Sequence, residues 1–317
     1  MRDTVRRPVI ILTGPTAVGK TDISIRLAEA VDGEIISADS MQVYKYMDIG
    51  TAKVLPHEMQ GIPHYMINEF EPDEEFNVFI FQNKAKEYIR DIHARGKIPI
   101  LVGGTGFYIQ AVLYDIAFTE NPQNDRYRNR LQREAEEKGS HFLHDRLRQV
   151  DPESAKAIHE NNVKRVIRAL EYYEFTGEKF SIHNKREQKR TSPYNFLYVV
   201  LTMDRQLLYE RINRRVDQMM AAGLVDEVKG LLDRGYKREL VSMQGLGYKE
   251  IAAALEQECT MEEAVYRLKR DTRHFAKRQM TWFRREREVV MLDKGDHGTT
   301  EEIIKLIIQL AEDRGVV

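Results

Sequence analysis

The segment Gly14-Pro15-Thr16-Ala17-Val18-Gly19-Lys20-Thr21 is the clearest indication of the fold of this chain. It matches the phosphate-loop pattern G-x-x-x-x-G-K-[ST] at every fixed position. The β-branched run Val9-Ile10-Ile11-Leu12 precedes it, and apolar residues between Ile23 and Val31 come after it in a pattern that a helix would bury on one side. This order of strand, glycine-rich loop and helix is the context in which the pattern binds phosphate. The sequence therefore predicts a phosphate site.

The loop supplies several groups that suit a phosphate. Its glycines let backbone N–H groups turn toward phosphate oxygens, and the next helix adds the positive end of its dipole. Lys20 would neutralise phosphate charge, and Thr21 would offer its hydroxyl to a magnesium ion or to a phosphate oxygen. The loop alone does not indicate which phosphate compound is bound.

The residues after a later strand disfavour an ordinary NTPase. Most proteins with this loop cleave ATP or GTP, and they usually carry a magnesium-organising carboxylate at the end of another core strand. Here the apolar strand at 98–102 runs into Gly103-Gly104-Thr105-Gly106 instead. The strand at 34–38 does end at Asp39, at the edge where open α/β sheets place ligands. Asp39 could be a general base, a magnesium partner, or only a turn or helix-cap aspartate.

Strands and helices alternate in a way that predicts an α/β fold. Strand patterns at 9–12, 34–38, 98–102 and 196–202 are separated by helical patterns, which indicates a parallel sheet with flanking helices. Between 115 and 194 the strand patterns vanish, and charged, helix-patterned sequence takes their place. We expect a phosphate-loop core formed by residues 1–114 and 195–317, interrupted by a helical insertion domain at 115–194.

Composition indicates a folded protein that works in water. The 317 residues are 42% hydrophobic and 31% charged, which argues against wholesale disorder. We expect no signal peptide and no membrane anchor, because no apolar run is long enough to cross a bilayer. The single cysteine, Cys259, excludes an internal disulfide and a cysteine-built metal site, so we expect a cytoplasmic protein. The net charge of −1 does not by itself indicate a polyanionic partner. The region 267–287 is strongly basic, however, and permits a local positive surface for a polyanion.

Six segments, in this order, resemble the successive signatures of the tRNA dimethylallyltransferases, also called tRNA isopentenyltransferases. They are GPTAVGKT, ISADSMQVYKYMDIGTAK, LVGGTGFYIQAVL, VKRVIRALE, MQGLGYKE and RDTRHFAKRQMTWFRR. The resemblance runs nearly end to end. Because this sequence shows no zinc-finger extension of the kind seen in eukaryotic members, the resemblance implies a bacterial-type enzyme. It implies transfer of a dimethylallyl group from dimethylallyl diphosphate to the exocyclic amine of the adenosine 3′ to the tRNA anticodon. Diphosphate would be released with the help of Mg²⁺, ATP would not be consumed, and we expect a monomer.

The resemblance also implies roles for particular residues. Asp39 matches the general base of the family, while Lys20, Thr21 and Mg²⁺ would offset the charge on the leaving diphosphate. Arg215 matches an arginine that contacts the diphosphate from the opposite side, although by composition alone it could be a solvated surface arginine. The positions matched to tRNA contact are Asp39, Ser40, Met41, Gln42, Thr105, Lys164, Arg165, Val166, Ile167, Arg168, Gly245, Leu246, Gly247, Tyr248, Lys249 and Glu250.

One of these assignments, and one further expectation, depend on basic helices. Without the resemblance, the segment VKRVIRAL is typical of an amphipathic helix with a solvated face. The later basic helix carries Arg270, Arg273, Lys277 and Arg278 at helical spacing, and we expect that face to lie near nucleic acid.

Two other classes of function stay open at this point. One is a phosphate-loop relative that acts on small molecules, either an adenylate isopentenyltransferase or a small-molecule kinase. The helical insertion is larger than such a substrate requires. The other is a non-catalytic RNA-binding scaffold, which would be indifferent to the loss of Asp39.

Overall fold

The computed structural model describes residues 6–118 and 125–317. The chain divides into two compact units, one formed by Met1–Leu113 with Pro193–Val317 and the other by Tyr114–Ser192. Among the helices of the described residues, none combines the length and the apolar character that crossing a membrane requires.

The first unit contains all the named strands and eight helices of the described residues. In chain order its elements are β1 (Arg7–Thr13), α1 (Lys20–Ala30), β2 (Gly33–Ser37), β3 (His64–Tyr65), α2 (Val78–Ala94), β4 (Ile98–Gly103), α3 (Gly106–Leu113), β5 (Tyr194–Thr202), α9 (Arg205–Ala221), α10 (Leu224–Asp233), α11 (Tyr248–Leu255), α12 (Met261–Phe283), β6 (Val289–Asp293) and α13 (Thr300–Asp313). The helices of the second unit are α4 (Asp125–Lys138), α5 (Ser140–Val150), α6 (Pro152–Ala157), α7 (Val163–Thr176) and α8 (Phe180–Gln188).

A six-stranded sheet in the order β3-β2-β4-β1-β5-β6 forms the centre of the first unit. Every neighbouring pair is parallel, with Ile10 of β1 aligned to Ile100 of β4 on one side and to Leu197 of β5 on the other. The inner strands are almost continuously buried, as expected for a parallel sheet that helices cover on both faces. The predicted fold class, a parallel α/β sheet with flanking helices, is confirmed.

The sheet brings the predicted functional segments to one edge. Thr13 at the end of β1 is aligned with Gly103 at the end of β4, and Ser37 at the end of β2 is aligned with Val102. The loop after β1, the residues after β2 and the turn after β4 therefore leave the sheet side by side. This is the carboxyl edge, where open α/β sheets bind ligands.

The second unit is helical and has a hydrophobic core of its own. Leu131, Leu143, Leu147 and Val166 are fully buried there. Asp151, also buried, caps α6 through the backbone N–H of Ser154 at 3.1 Å.

Candidate active site

The phosphate loop connects β1 to α1 and is held by its own lysine. Lys20 Nζ donates to the carbonyl oxygens of Gly14 at 3.0 Å and Pro15 at 2.9 Å. Gly19 is the N-cap of α1 and has no side chain to accept from the first N–H groups of the helix. Thr21 lies at the start of α1, where its side chain is exposed. The helix start is thus open to an anion.

Positive charge is concentrated beside this loop. Desolvation and then the nearby charge of Arg215 lower the pKa of Lys20 to about 8, against an opposing effect of Asp39. The pKa of Arg215 is lowered by desolvation, again opposed by the carboxylate of Asp39. Two crowded, partly desolvated cations favour the binding of an anion, because a negative ligand would relieve their mutual repulsion.

A cavity of about 330 Å³ opens at the carboxyl edge of the sheet. The phosphate loop contributes Thr16 and Ala17 to its wall, the segment after β2 contributes Asp39, and α9 contributes Arg215. Residues of several other segments complete the lining: Ser40, Met41, Gly50, Thr51, Thr105, Ile212, Val216, Met219, Gln244, Gly245, Leu246, Tyr248, Lys249, Leu268, Thr272, Phe275 and Arg278. The structure therefore brings the loop, the predicted base and the predicted diphosphate arginine to one compartment.

Asp39 is half-buried and makes local hydrogen bonds. Its Oδ1 accepts from the backbone N–H of Met41 at 2.9 Å and of Gln42 at 3.4 Å. These bonds form a turn that fixes the carboxylate at the cavity wall. The hydroxyl oxygen of Thr105 accepts from the backbone N–H of Ser40 at 3.3 Å, so the turn after β4 supports this segment. Both the turn interpretation and the base interpretation of Asp39 are compatible with this geometry.

Gln42 has internal partners on both ends of its amide. Its Nε2 donates to the carbonyl oxygens of Thr51 at 3.3 Å and Ala52 at 3.4 Å, and its Oε1 accepts from the hydroxyl of Ser37 at 3.1 Å. Gln42 does not line the cavity, unlike its neighbours Ser40 and Met41. In this conformation its amide stabilises the wall and is not directed at a base.

The predicted contact segment from Gly245 to Glu250 divides into lining and supporting residues. Gly245, Leu246, Tyr248 and Lys249 line the cavity. The carboxylate of Glu250 accepts from the backbone N–H of Gly247 at 2.9 Å and caps α11. The Tyr248 ring is fully buried, and its hydroxyl donates to Glu227 at 2.7 Å. Of the six residues in this segment, Gly245, Leu246 and Lys249 therefore line the cavity without serving a helix cap or a buried ring contact.

The predicted contact segment of the insertion lies on α7 and is amphipathic. Val166 and Ile167 are buried in the core of the second unit. Lys164 and Arg165 are exposed, and Arg168 is half-buried. Since the apolar pair packs inward, the basic side chains are the ones available to a polyanion.

Residues that sequence reasoning did not assign to the site form much of its apolar wall. Ile212, Val216 and Met219 come from α9, and Leu268 and Phe275 come from α12. Their helical spacing indicates a buried stripe, but it does not show that part of the stripe faces a cavity.

Two further cations lie beside the phosphate loop. The Nε of Arg211 donates to the carbonyl oxygen of Ala17 at 2.9 Å. A Cβ placed on Gly19 would lie 3.1 Å from Lys294 Nζ. Lys294 comes directly after β6, far along the chain from the loop, and no local pattern marks it.

Some basic side chains of α12 are exposed to solvent, and others form ion pairs or hydrogen bonds within the protein. Lys277 and Arg278 are exposed and border a groove with Trp282. Arg270 forms an ion pair with Asp271 at 2.7 Å, while Arg273 donates to the Oδ1 of Asn213 on α9 at 2.6 Å. Toward the end of the helix, Lys277 and Arg278 form no ion pair within the described residues, although the Arg278 guanidinium lies over the Phe275 ring at 5.7 Å.

This chain matches two family models and many individual relatives. A family model described as IPP transferase matches residues 42–286, and one described as isopentenyl transferase matches residues 7–76. The tRNA dimethylallyltransferase of Lachnoclostridium phytofermentans is 58% identical over 311 residues, which cover 98% of this chain and 99% of that protein. The chain belongs to the tRNA dimethylallyltransferase family.

Other members of the tRNA dimethylallyltransferase family also match over nearly all of this chain. The protein of Carboxydothermus hydrogenoformans is 51% identical over 300 residues, covering 95% of this chain and 96% of the relative. The crystal structure of the Bacillus halodurans tRNA isopentenylpyrophosphate transferase matches with a TM-score of 0.75 and 44% identity, over 98% of this chain and 97% of that chain. The crystal structure of a eukaryotic dimethylallyltransferase acting on tRNA matches with a TM-score of 0.83 and 32% identity, over 97% of this chain and 80% of that chain. The predicted family and the predicted enzyme class, a prenyltransferase, are confirmed.

Proposed function

We propose that this chain transfers a dimethylallyl group from dimethylallyl diphosphate to the exocyclic amine of the adenosine 3′ to the anticodon of tRNA. The observation that carries the proposal is the shared cavity of the phosphate loop, Asp39 and Arg215. Its volume of about 330 Å³ is at the lower end of the range of about 300–1,000 Å³ for small-molecule pockets. The apolar side chains of α9 and α12 suit a five-carbon chain, and the cations suit its diphosphate.

Asp39 would act as the general base. The amine of adenine is a weak nucleophile because its lone pair is delocalised into the ring. As the bond from nitrogen to the allylic carbon forms, Asp39 would accept a proton from that nitrogen, and the bond from carbon to the diphosphate oxygen would break. A positioned base of this kind contributes a factor of about 10²–10⁴ in rate.

Lys20 and Arg215 would stabilise the diphosphate as it leaves. Charge gathers on the bridging oxygen when the carbon–oxygen bond breaks, so fixed cations near it stabilise the transition state more than the ground state. Arg215 can make two parallel charge-assisted hydrogen bonds to phosphate oxygens. The N–H groups at the start of α1 add donors that need no reorganisation.

Magnesium fits the oxygen donors at the start of α1. The hydroxyl of Thr21 is exposed there, and Mg²⁺ commonly combines few protein oxygens with water and substrate phosphates. Within residues 6–118 and 125–317, no group of three His, Cys, Asp or Glu side chains is placed to hold a metal. The hydroxyl of Thr21 would hold the ion, with the diphosphate supplying other ligands. Bound Mg²⁺ would supply charge neutralisation for the leaving group.

Transfer RNA would be held through its phosphates and read at an extruded base. A base in an anticodon loop reaches a pocket only when it leaves its stack. Lys277 and Arg278 on α12 and the exposed Lys164 and Arg165 on α7 would contact backbone phosphates.

Product analysis tests the proposal. Purified protein is incubated with dimethylallyl diphosphate, Mg²⁺ and unmodified tRNA in the absence of ATP. The tRNA is then digested, and its nucleosides and ribonuclease fragments are analysed by liquid chromatography and mass spectrometry. Isopentenyladenosine at the position 3′ to the anticodon, with release of diphosphate, is expected. AMP and ATP are tested as acceptors in parallel, because a transferase for free nucleotides would modify them and leave the tRNA unchanged. No modified nucleoside in any tube would contradict the proposal.

A further inference from the structure

Gln279 on α12 joins two loops of the site that are remote in sequence. Its side-chain Oε1 accepts from the backbone N–H of Thr16 in the phosphate loop at 2.9 Å. Its Nε2 donates to the carbonyl oxygen of Gly104, in the turn after β4, at 3.0 Å. The side chain is only 6% exposed. Thr16 offers a donor and Gly104 an acceptor, so only this orientation of the amide satisfies both.

α12 packs closely against the turn after β4, with side chains in contact with two glycines of the turn. A Cβ on Gly104 would overlap the Gln279 amide, and a Cβ on Gly106 would overlap the Trp282 indole one helical turn later. Trp282 also packs edge-on against the Phe107 ring, with the centroids 6.2 Å apart. The glycines of this turn therefore permit α12 to approach closely enough for Gln279 to reach both loops.

The turn that Gln279 holds also supports the predicted base. Thr105 comes directly after Gly104, and its backbone N–H donates to the carbonyl oxygen of Ala38 at 3.2 Å. Its hydroxyl oxygen accepts from the backbone N–H of Ser40 at 3.3 Å. Asp39 lies between these two bonded residues. A continuous path of hydrogen bonds thus runs from the phosphate loop through Gln279 to the segment that carries the carboxylate.

We propose that Gln279 is a positioning residue for prenyl transfer, which fixes the spacing between the phosphate loop and the Asp39 segment and ties both to α12. This inference rests on the proposed function. The phosphate loop keeps its internal bonds from Lys20 without Gln279, so donor binding should persist. The alignment of the prenyl donor with Asp39 should be lost. An error of about 1 Å in such an alignment can slow a reaction about 100-fold.

The test compares Gln279→Met with Gln82→Met. Methionine fills the same space as glutamine but can make neither hydrogen bond. Gln82 is a matched control, because it is equally buried and its Nε2 donates to the carbonyl oxygen of Ala111 at 2.7 Å without lining the cavity. Both variants should lose similar thermal stability. Only Gln279→Met should lower kcat, by about 10-fold to 100-fold, with the KM for dimethylallyl diphosphate changed by less than about threefold.

The outcomes separate this inference from the proposed function. Wild-type protein that makes no isopentenyladenosine overturns the function itself. Active wild-type protein together with an unchanged kcat in Gln279→Met overturns the inference alone, whatever the KM or melting temperature. An equal fall of kcat in both variants also overturns it, since a general loss of packing would then explain the effect. If Gln279→Met does not fold, Gln279→Asn makes the same comparison, because its shorter side chain keeps the amide but cannot span both partners.

Discussion

Replacing Asp39 by asparagine separates the catalytic role from the structural one. The Oδ1 of asparagine can accept from the N–H groups of Met41 and Gln42 as the carboxylate does now, at 2.9 Å and 3.4 Å. The turn is therefore kept, while the ability to accept a proton is lost. If Asp39 is the base, Asp39→Asn should slow transfer by about 10²–10⁴, which corresponds to about 2.7–5.4 kcal/mol.

The binding of dimethylallyl diphosphate should change in a different way. Asp39→Asn removes a negative charge close to Lys20 and Arg215, so at pH 7 the affinity for a diphosphate should be unchanged or higher. A fall in rate without a fall in affinity indicates a transition-state role. Single-turnover transfer of a labelled dimethylallyl group to tRNA gives the rate, and isothermal titration calorimetry gives the affinity.

Two comparisons make the result decisive. Asp39→Ala loses both the turn and the base, so a catalytic role predicts similar rates for the alanine and asparagine variants. Asp204→Asn is the matched control, because Asp204 accepts from Gln206 and Leu207 at 2.8 Å and 3.1 Å at the start of α9 and should not affect the rate. An Asp39→Asn enzyme within about threefold of wild type, beside a slow Asp39→Ala enzyme, would show that the aspartate only forms the turn.

Three further predictions concern the charged residues. Because the pKa of Lys20 is lowered to about 8, the free protein loses this charge above that pH, and the Kd for dimethylallyl diphosphate should rise by up to about tenfold for each further pH unit. Calorimetry should show no such rise in the Lys20→Met variant. A wild-type Kd that stays constant up to about pH 10 would contradict the role of Lys20. Arg215→Ala should weaken the binding of dimethylallyl diphosphate by about 10-fold to 100-fold, because charge-assisted hydrogen bonds are lost. Arg214 is exposed on α9, so Arg214→Ala should leave the Kd unchanged. Equal effects of the two substitutions would show that Arg215 does not contact the diphosphate. Replacing Lys164 and Arg165 together by alanine should weaken tRNA binding and reduce the slope of log K against log salt concentration by about one for each lost contact; filter binding at several salt concentrations would refute this if the slope is the same as in the wild type.

The local elements of the core could be predicted from the sequence. The phosphate loop, the strand before it and the helix after it arise from short-range patterns of apolar residues and glycines, and the structure confirms the parallel α/β fold. The two-residue strand β3 was not predicted, because a strand of that length leaves no period to detect. The order of the strands also could not be predicted, since it depends on pairings between remote segments such as β1 with β5.

The site was predictable where a motif marks it and not where tertiary packing builds it. Asp39 and the loop carry motif signals, and they do share a cavity. Phe275 and Gln279 carry none, because a helix pattern indicates which face is buried but not which buried residue lines a cavity, as Phe275 does, or joins two loops, as Gln279 does. The roles of the individual residues stay predictions.

A structure of the protein with an unreactive thio-analogue of dimethylallyl diphosphate and an anticodon stem-loop measures the central relation directly. The proposed mechanism predicts that the diphosphate lies on the phosphate loop with Arg215 opposite, and that the adenine amine lies within about 2.6–3.2 Å of an Asp39 oxygen, directly or through one water. A base bound outside the cavity of the phosphate loop, or an Asp39 carboxylate that contacts neither substrate, would contradict it.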